Sequence, residues 1–139
     1  MSNRRLMYIE LKSGYGDSGP AWISHVTFSK SGRTVYFNGK ALKRNERGGI
    51  SGNYYDLESG DEYWVSGVKK RGTNRHWAGS GKIQLDVNAV TDFLQHTGQA
   101  EVDSKQYEIC SNIKATAPKD FFEMENEKHI SQDEWPEEE

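Results

Sequence analysis

The chain predicts a mainly β protein: a small antiparallel, strongly bent sheet or SH3-like barrel of about six strands, with one or two peripheral helices. Three observations point there. Apolar residues alternate with period two over short runs, turn signals rich in Gly and Asn separate those runs, and only one segment has clear helical spacing. The 139 residues suffice for one domain with a buried core. An apolar content of 34% beside 28% charged residues is that of a globular chain.

The first run, "RLMYIELK", sets Met7, Ile9 and Leu11 on one side and Leu6, Tyr8 and Glu10 on the other. The segment "SGYGDSGP" breaks it, and "AWISHVTF" follows with Trp22, Ser24, Val26 and Phe28 alternating against Ala21, Ile23, His25 and Thr27. Ser31-Gly32 and Asn38-Gly39 bracket the β-rich "RTVYF". Asn-Gly is the sequence of a two-residue type I′ hairpin turn, which needs positive φ at both central positions. Residues 43–52, "KRNERGGISG", lack periodicity and read as a loop. Two aromatic strands joined by Glu58-Ser59-Gly60-Asp61 come next, setting Tyr54 and Tyr55 near Tyr63 and Trp64. "KIQLDV" supplies another strand, with Ile83, Leu85 and Val87 facing one way.

Val90, Phe93 and Leu94 then predict a helix capped by Asp86 or Asn88 and stopped by Gly98. Beyond it a strand is expected at 106–113 and a short helix over 118–128, with Thr116 as its cap and Pro118 in its first turn. The organisation expected is a β-rich domain over 1–98, a C-terminal extension over 99–130 packing on it, and a disordered acidic tail over 131–139.

The net charge of −3 conceals a division. Residues 1–99 carry 14 Lys and Arg against 9 Asp and Glu, a balance of +5, whereas residues 100–139 carry 4 against 12, a balance of −8. A basic body with an acidic tail is the pattern of a polyanion binder with a tethered competitor, and equally that of two solvated faces. No apolar run approaches the roughly 18 residues of a membrane span. The start "MSNRRLMYIELK" has no apolar core of a signal peptide, so a cytoplasmic protein with no membrane partner is expected. Cys110 is the sole cysteine, which excludes an internal disulfide and any zinc site built on paired cysteines.

Catalytic patterns are absent. The four His residues are scattered, without a His-Glu-x-x-His pair, so neither a metal nor a cofactor is expected. His25 alternates into a strand and reads as a hydrogen-bonded wall residue in preference to a general base. Cys110 reads as a small buried hydrophobe. "SGYGDSG" lacks the Lys-Ser/Thr ending and following helix of a phosphate-binding loop.

The stretches "FSKSGRTVYFNGKAL" and "GISGNYYDLESGDEYWVSGVKKRGTNRHWAGSGKIQLD" resemble a family of short, uncharacterised bacterial proteins that often carry the label deoxyxylulose-phosphate synthase. "SKSGRTVYF" and "YWVSGVKK" are the most specific parts of the resemblance, which covers residues 8–94. It implies a bacterial domain of unknown function and supplies no catalytic residues. A thiamine-diphosphate synthase is several times longer, and no "GDG" turn with a distal Asn is present to hold its magnesium diphosphate.

One segment stands out, "GVKKRGTNRHWAGSGKI" at residues 67–83, with five positive charges, a His, a Trp and four Gly. Lys69, Lys70, Arg71, Arg75, His76 and Lys82, flanked by Trp77 and by Tyr63 and Trp64 upstream, form the candidate binding set. Arg33, Lys40, Lys43 and Arg44 would extend it. Cations neutralise phosphates while bases stack on aromatic rings, the chemistry of single-stranded nucleic-acid binding. The expected function is therefore a non-enzymatic binding module for a nucleic acid or another polyanion. The alternatives are a protein-interaction domain anchored by exposed Tyr and Trp, an uncharacterised enzymatic pocket, and aromatics that are simply core beneath a solubilising rim of Lys and Arg.

Overall fold

A computed structural model describes residues 3–15, 18–46, 52–72, 74–75 and 81–122. Six antiparallel strands close into a barrel: β1 (Arg4–Leu11), β2 (Ala21–Phe28), β3 (Thr34–Phe37), β4 (Lys40–Arg44), β5 (Tyr54–Asp56) and β6 (Glu62–Gly67). Each pairs with the next, and β6 returns to β1 through the register Met7↔Gly67 to Leu11↔Tyr63. Closure leaves no free edge on the ring, which is how a small all-β chain escapes edge-to-edge association.

Alternation sorts the side chains into two cores. Ile9, Val26, Val35, Phe37, Leu42, Tyr54, Tyr63 and Val65 fill the barrel. Tyr8, Ala21 and Ile23 point out from β1 and β2, yet they are buried too. What covers them is β7 (Ile83–Asp86), α1 (Val90–Thr97) and β8 (Tyr107–Cys110), which contribute Ile83, Leu85, Phe93 and Tyr107 to the outer cluster. Phe93 has no exposed surface and packs edge-on to Tyr107 at 5.0 Å between centroids. Burying one such side chain stabilises the fold by about 1.5–3 kcal/mol.

The strand "KIQLDV" is thus not a member of the ring. It runs parallel to β2 through Trp22↔Gln84 and Ile23↔Leu85, and β8 runs parallel to it in turn. A parallel return needs a long connection, and the segment from Gly67 to Ile83 provides one. A further strand, β4, follows the Asn38-Gly39 turn, so the loop expected from residue 43 opens only after Arg44; residues 47–51 lie outside the described residues.

Local signals explain most boundaries. Asn38 and Gly39 have φ of 51° and 76°, and Phe37 faces Lys40 across them, as the type I′ reading requires. Asp86 caps a single 3-10 turn (Val87–Ala89), its side chain accepting from the Asn88 N–H, and α1 begins one residue later with Ala89 at its N-cap. Gly98 ends α1 in the left-handed conformation. The three-residue β5 is prolonged by a side chain: the Asn53 amide donates to the Val65 carbonyl and accepts the Val65 N–H, each at 2.8 Å.

The C-terminal extension departs from expectation in two places. Its strand covers only residues 107–110. Thr116 does not cap the 3-10 turn Pro118–Phe121, because its Oγ1 accepts the Gly39 N–H at 2.6 Å instead. The Lys114 N–H likewise donates to Asn38 Oδ1 at 3.0 Å, so this segment straps the β3–β4 turn, and Phe121 packs on Tyr36 beyond it. The expected helix beyond residue 122 and the acidic tail lie outside the described residues. No helix among the described residues is long and apolar enough to cross a membrane.

Replacing Gly39 with Val should destabilise the protein by more than about 1 kcal/mol, because a β-branched residue at positive φ is strained whatever space surrounds it. The midpoint of chemical denaturation measures the effect, and an unchanged midpoint would contradict the turn assignment.

Candidate functional site

The segment singled out by sequence begins where β6 leaves the barrel. Pleating sends Tyr63 and Val65 inward and Trp64 outward: Tyr63 is 4% exposed and Trp64 41%. Tyr63 is therefore a core residue, and its ring is not a platform for a base. Burial pushes its hydroxyl from the usual 10.0 up to about 12, with the negative charges of Asp56 and Asp61 adding to the shift. Desolvation also raises Tyr54 and Tyr107.

Beyond Gly67 the chain is pinned at successive points. Val68 is buried in the outer core, and His96 Nε2 lies 2.6 Å from its carbonyl oxygen. The Lys69 N–H donates to Asn74 Oδ1 at 2.7 Å. Between these anchors Lys69, Lys70 and Arg71 are exposed.

Arg75 then turns inward. It is 6% exposed, with Nη1 3.5 Å from Glu10 Oε2 and Nη2 donating to the Gly19 carbonyl at 3.1 Å. Glu10, 1% exposed, sits on the outer face of β1, where it accepts from the Tyr8 hydroxyl at 2.6 Å and meets Lys12 Nζ at 3.2 Å. Gly19 lets the chain before β2 fold closely over the end of β1, since a Cβ there would lie 2.3 Å from the Leu11 carbonyl oxygen. Arg75 thus anchors the loop and does not belong to an exposed patch.

Lys82 is exposed just before β7, while His76 and Trp77 lie outside the described residues. The structure accordingly leaves Trp64, Lys69, Lys70, Arg71 and Lys82 on the surface, with Tyr63 and Arg75 inside. In the β3–β4 hairpin Arg33 pairs with Glu46 at 3.4 Å and Lys40 lies 3.9 Å from Asp56, so both have acidic neighbours of their own.

No family model, curated protein or solved structure matches this chain. Function therefore has to come from the geometry.

A second site, which no local signal assembles, lies where β3 and β7 part along β2. It is a polar cleft of about 250 Å³ lined by residues of β2, the ends of β3 and β7, and the strap at 113–116. His25 is a wall residue here, its Nε2 2.7 Å from Asp92 Oδ2 on α1. Ser24 Oγ donates to Asp86 Oδ2 at 2.8 Å. Ser, His and two carboxylates are close in sequence or space, but the serine answers to one carboxylate and the histidine to the other. That is not the serine–histidine contact nucleophilic catalysis needs. These pairs are 62 and 67 residues apart in sequence, beyond any spacing rule. Cys110, paired in register with Asp86, has its thiol pushed up by burial and then by that carboxylate, which disfavours the reactive thiolate.

Glu10→Gln should destabilise the protein by about 3 kcal/mol, because it removes the buried carboxylate charge that Lys12 and Arg75 both meet. Urea denaturation checks this, and a loss below about 0.5 kcal/mol would mean that the network does not hold the loop.

Raised tyrosine pKa values favour the folded state fully below the unfolded value and lose that advantage as pH rises through the folded one. Thermal stability should therefore fall as pH climbs from 10.0 towards about 12, and Tyr63→Phe should make that fall shallower. Parallel melting curves of the two proteins across this window supply the comparison.

Proposed function

We propose that the protein is a non-enzymatic binding module whose surface around Trp64 and residues 69–71 takes a polyanion, with single-stranded nucleic acid as the leading ligand. The observation that supports this is the mounting of the groups. Trp64 stands on a strand paired on both edges, and three exposed cations follow it on a loop tied down by Val68, Asn74 and Arg75. From Trp64 to Lys69 the chain spans at most about 18 Å even when fully extended. A base on the ring and phosphates on the cations thus belong to one short stretch of strand. Because the contacts of Val68, Asn74 and Arg75 fix the loop near both ends, binding has less of it left to order.

The acidic stretch after residue 99 is the natural competitor. Residues 131–139 hold Asp133, Glu134, Glu137, Glu138 and Glu139 and no Lys or Arg. Tethering raises their effective concentration at the basic surface even where each contact is weak.

Fluorescence anisotropy with a labelled single-stranded oligonucleotide at two salt concentrations tests the reading. Converting Lys69, Lys70 and Arg71 to Ala should flatten the slope of log affinity against log salt by about 2. Trp64→Ala should weaken binding by about tenfold, the loss of one stacked base. Deleting residues 131–139 should tighten binding at low salt and have less effect at high salt, where screening already weakens the competitor. Absence of binding by both the intact and the shortened protein would overturn the nucleic-acid reading.

A protein partner is the second use of the same surface. Tyr15 is 54% exposed, and its N–H donates to the Lys12 carbonyl while the Lys12 N–H donates to the carbonyl of Glu62, which holds Tyr15 beside the start of β6. Two exposed aromatics, Tyr15 in the turn after β1 and Trp64 on β6, are the kind of anchor that dominates protein interfaces.

A further inference from the structure

The cleft beside β2 arises from the mixed direction of the strands around it. β7 pairs with β2 at Trp22 and Ile23 and runs parallel to it, whereas β3 pairs at Thr27 and Phe28 and runs antiparallel. The carboxyl ends of both strands therefore converge on the stretch of β2 between Ile23 and Thr27, and there both chains turn away. β7 enters the turn before α1 and β3 enters the Asn38-Gly39 turn. Departure of two neighbours in different directions opens a crevice at the strand ends, the same reason that ligands of open α/β sheets sit where adjacent connections diverge.

The groups in the cleft have a consistent character. Asp86 is 8% exposed and both its oxygens are engaged, one by Ser24 and one by the Asn88 N–H. Asp92, the other nearby carboxylate, is held by His25. Arg4 and Lys114 also line the cleft, both are exposed, and neither is paired with a carboxylate among the described residues. The Asn38 side chain accepts from the Lys114 N–H through its oxygen, leaving its amide hydrogens to donate; the exposed Asn88 side chain adds a second amide. Two uncompensated positive charges and two amides thus share a space that holds about eight waters at about 30 Å³ each.

We infer that this cleft binds a small phosphate monoester. Arg4 and Lys114 take the phosphate, whose charge of about −1.5 to −2 near neutral pH matches the two cations. Arg supplies the planar donor pair and Lys a point charge. The Asn38 and Asn88 amides take hydroxyls of the attached polyol. This site is separate from the basic loop and does not depend on the function proposed for that loop.

Titration of the ¹⁵N-labelled full chain with inorganic phosphate, ribose 5-phosphate and ribose, followed by amide chemical shifts, tests the inference. Ribose 5-phosphate should give saturable shifts at residues 24–27, 38–39, 86–88 and 114–116, with a dissociation constant at or below about 1 mM. Inorganic phosphate should shift the same residues more weakly, and ribose should not shift them. Arg4→Gln with Lys114→Gln should weaken ribose 5-phosphate binding by at least tenfold while the amide spectrum stays dispersed. Asn88→Ala, at a residue whose bond to Asp86 is made by its backbone N–H, should cost ribose 5-phosphate affinity but spare inorganic phosphate. Converting Lys69, Lys70 and Arg71 to Ala should leave all of this unchanged. Shifts matched by sodium chloride at equal ionic strength, shifts confined to residues 67–72, or a double Gln variant that binds normally would each overturn the assignment.

Discussion

From Tyr8 to Glu10, β1 is paired on both edges and buried on both faces, and the rest of the molecule follows from that constraint. Its edges meet β2 and β6, which closes the ring. Its inward side chains serve the barrel core, and its outward Tyr8 and Glu10, with Lys12 just beyond its end, lie under chain as well. A charged residue in that position is costly unless its charge is met by another and its oxygens accept hydrogen bonds. Glu10 is met by Lys12, Arg75 and the Tyr8 hydroxyl. The segment after β6 is therefore more than a connection: through Arg75 it supplies part of the countercharge that lets Glu10 be buried.

That dependence explains why the basic segment divides as it does. Val68 and Arg75 are drawn in by the outer core and by Glu10, and Lys69 to Gly72 between them face solvent. Ordering a loop costs conformational entropy, of the order of 1–2 kcal/mol per residue for the backbone alone, so fixed points at both ends matter to any ligand that uses the middle. The same anchoring removes two members of the expected set from the surface. Tyr63 is given to the barrel and Arg75 to the ion network, which narrows the stacking group on the strand to Trp64.

The additional strands set the second feature of the molecule. Had β7 been antiparallel and in the ring, as a six-strand antiparallel barrel containing it would need, β2 would have offered no gap between two parting neighbours. Its parallel direction places Asp86, Asn88 and α1 beside β2 and opposite the Asn38-Gly39 turn, while the strap at 113–116 closes the far wall with hydrogen bonds to that turn. The turn residues thus do two jobs: they reverse the chain and they receive the strap. The cleft and the basic loop draw on different elements of the fold.

The sequence by itself determined what depends on neighbours along the chain. Period-two alternation marked the strands, Asn38-Gly39 fixed the hairpin through its need for positive φ, and Gly98 fixed the end of the helix. These are local free energies, written in a few consecutive residues. Tertiary structure alone decided the rest. Alternation says that Glu10 and Trp64 face the same way, but only the packing of the segment after β6 decides that one is buried and the other exposed. Period two is identical for parallel and antiparallel strands, so the direction of β7 was not legible in its residues. Thr116 had the chemistry of a helix cap, yet it bonds Gly39, 77 residues away, because a hydroxyl satisfies whichever donor the fold brings to it. The cleft has no sequence signature for the same reason: its groups meet across separations over which sequence carries no spacing.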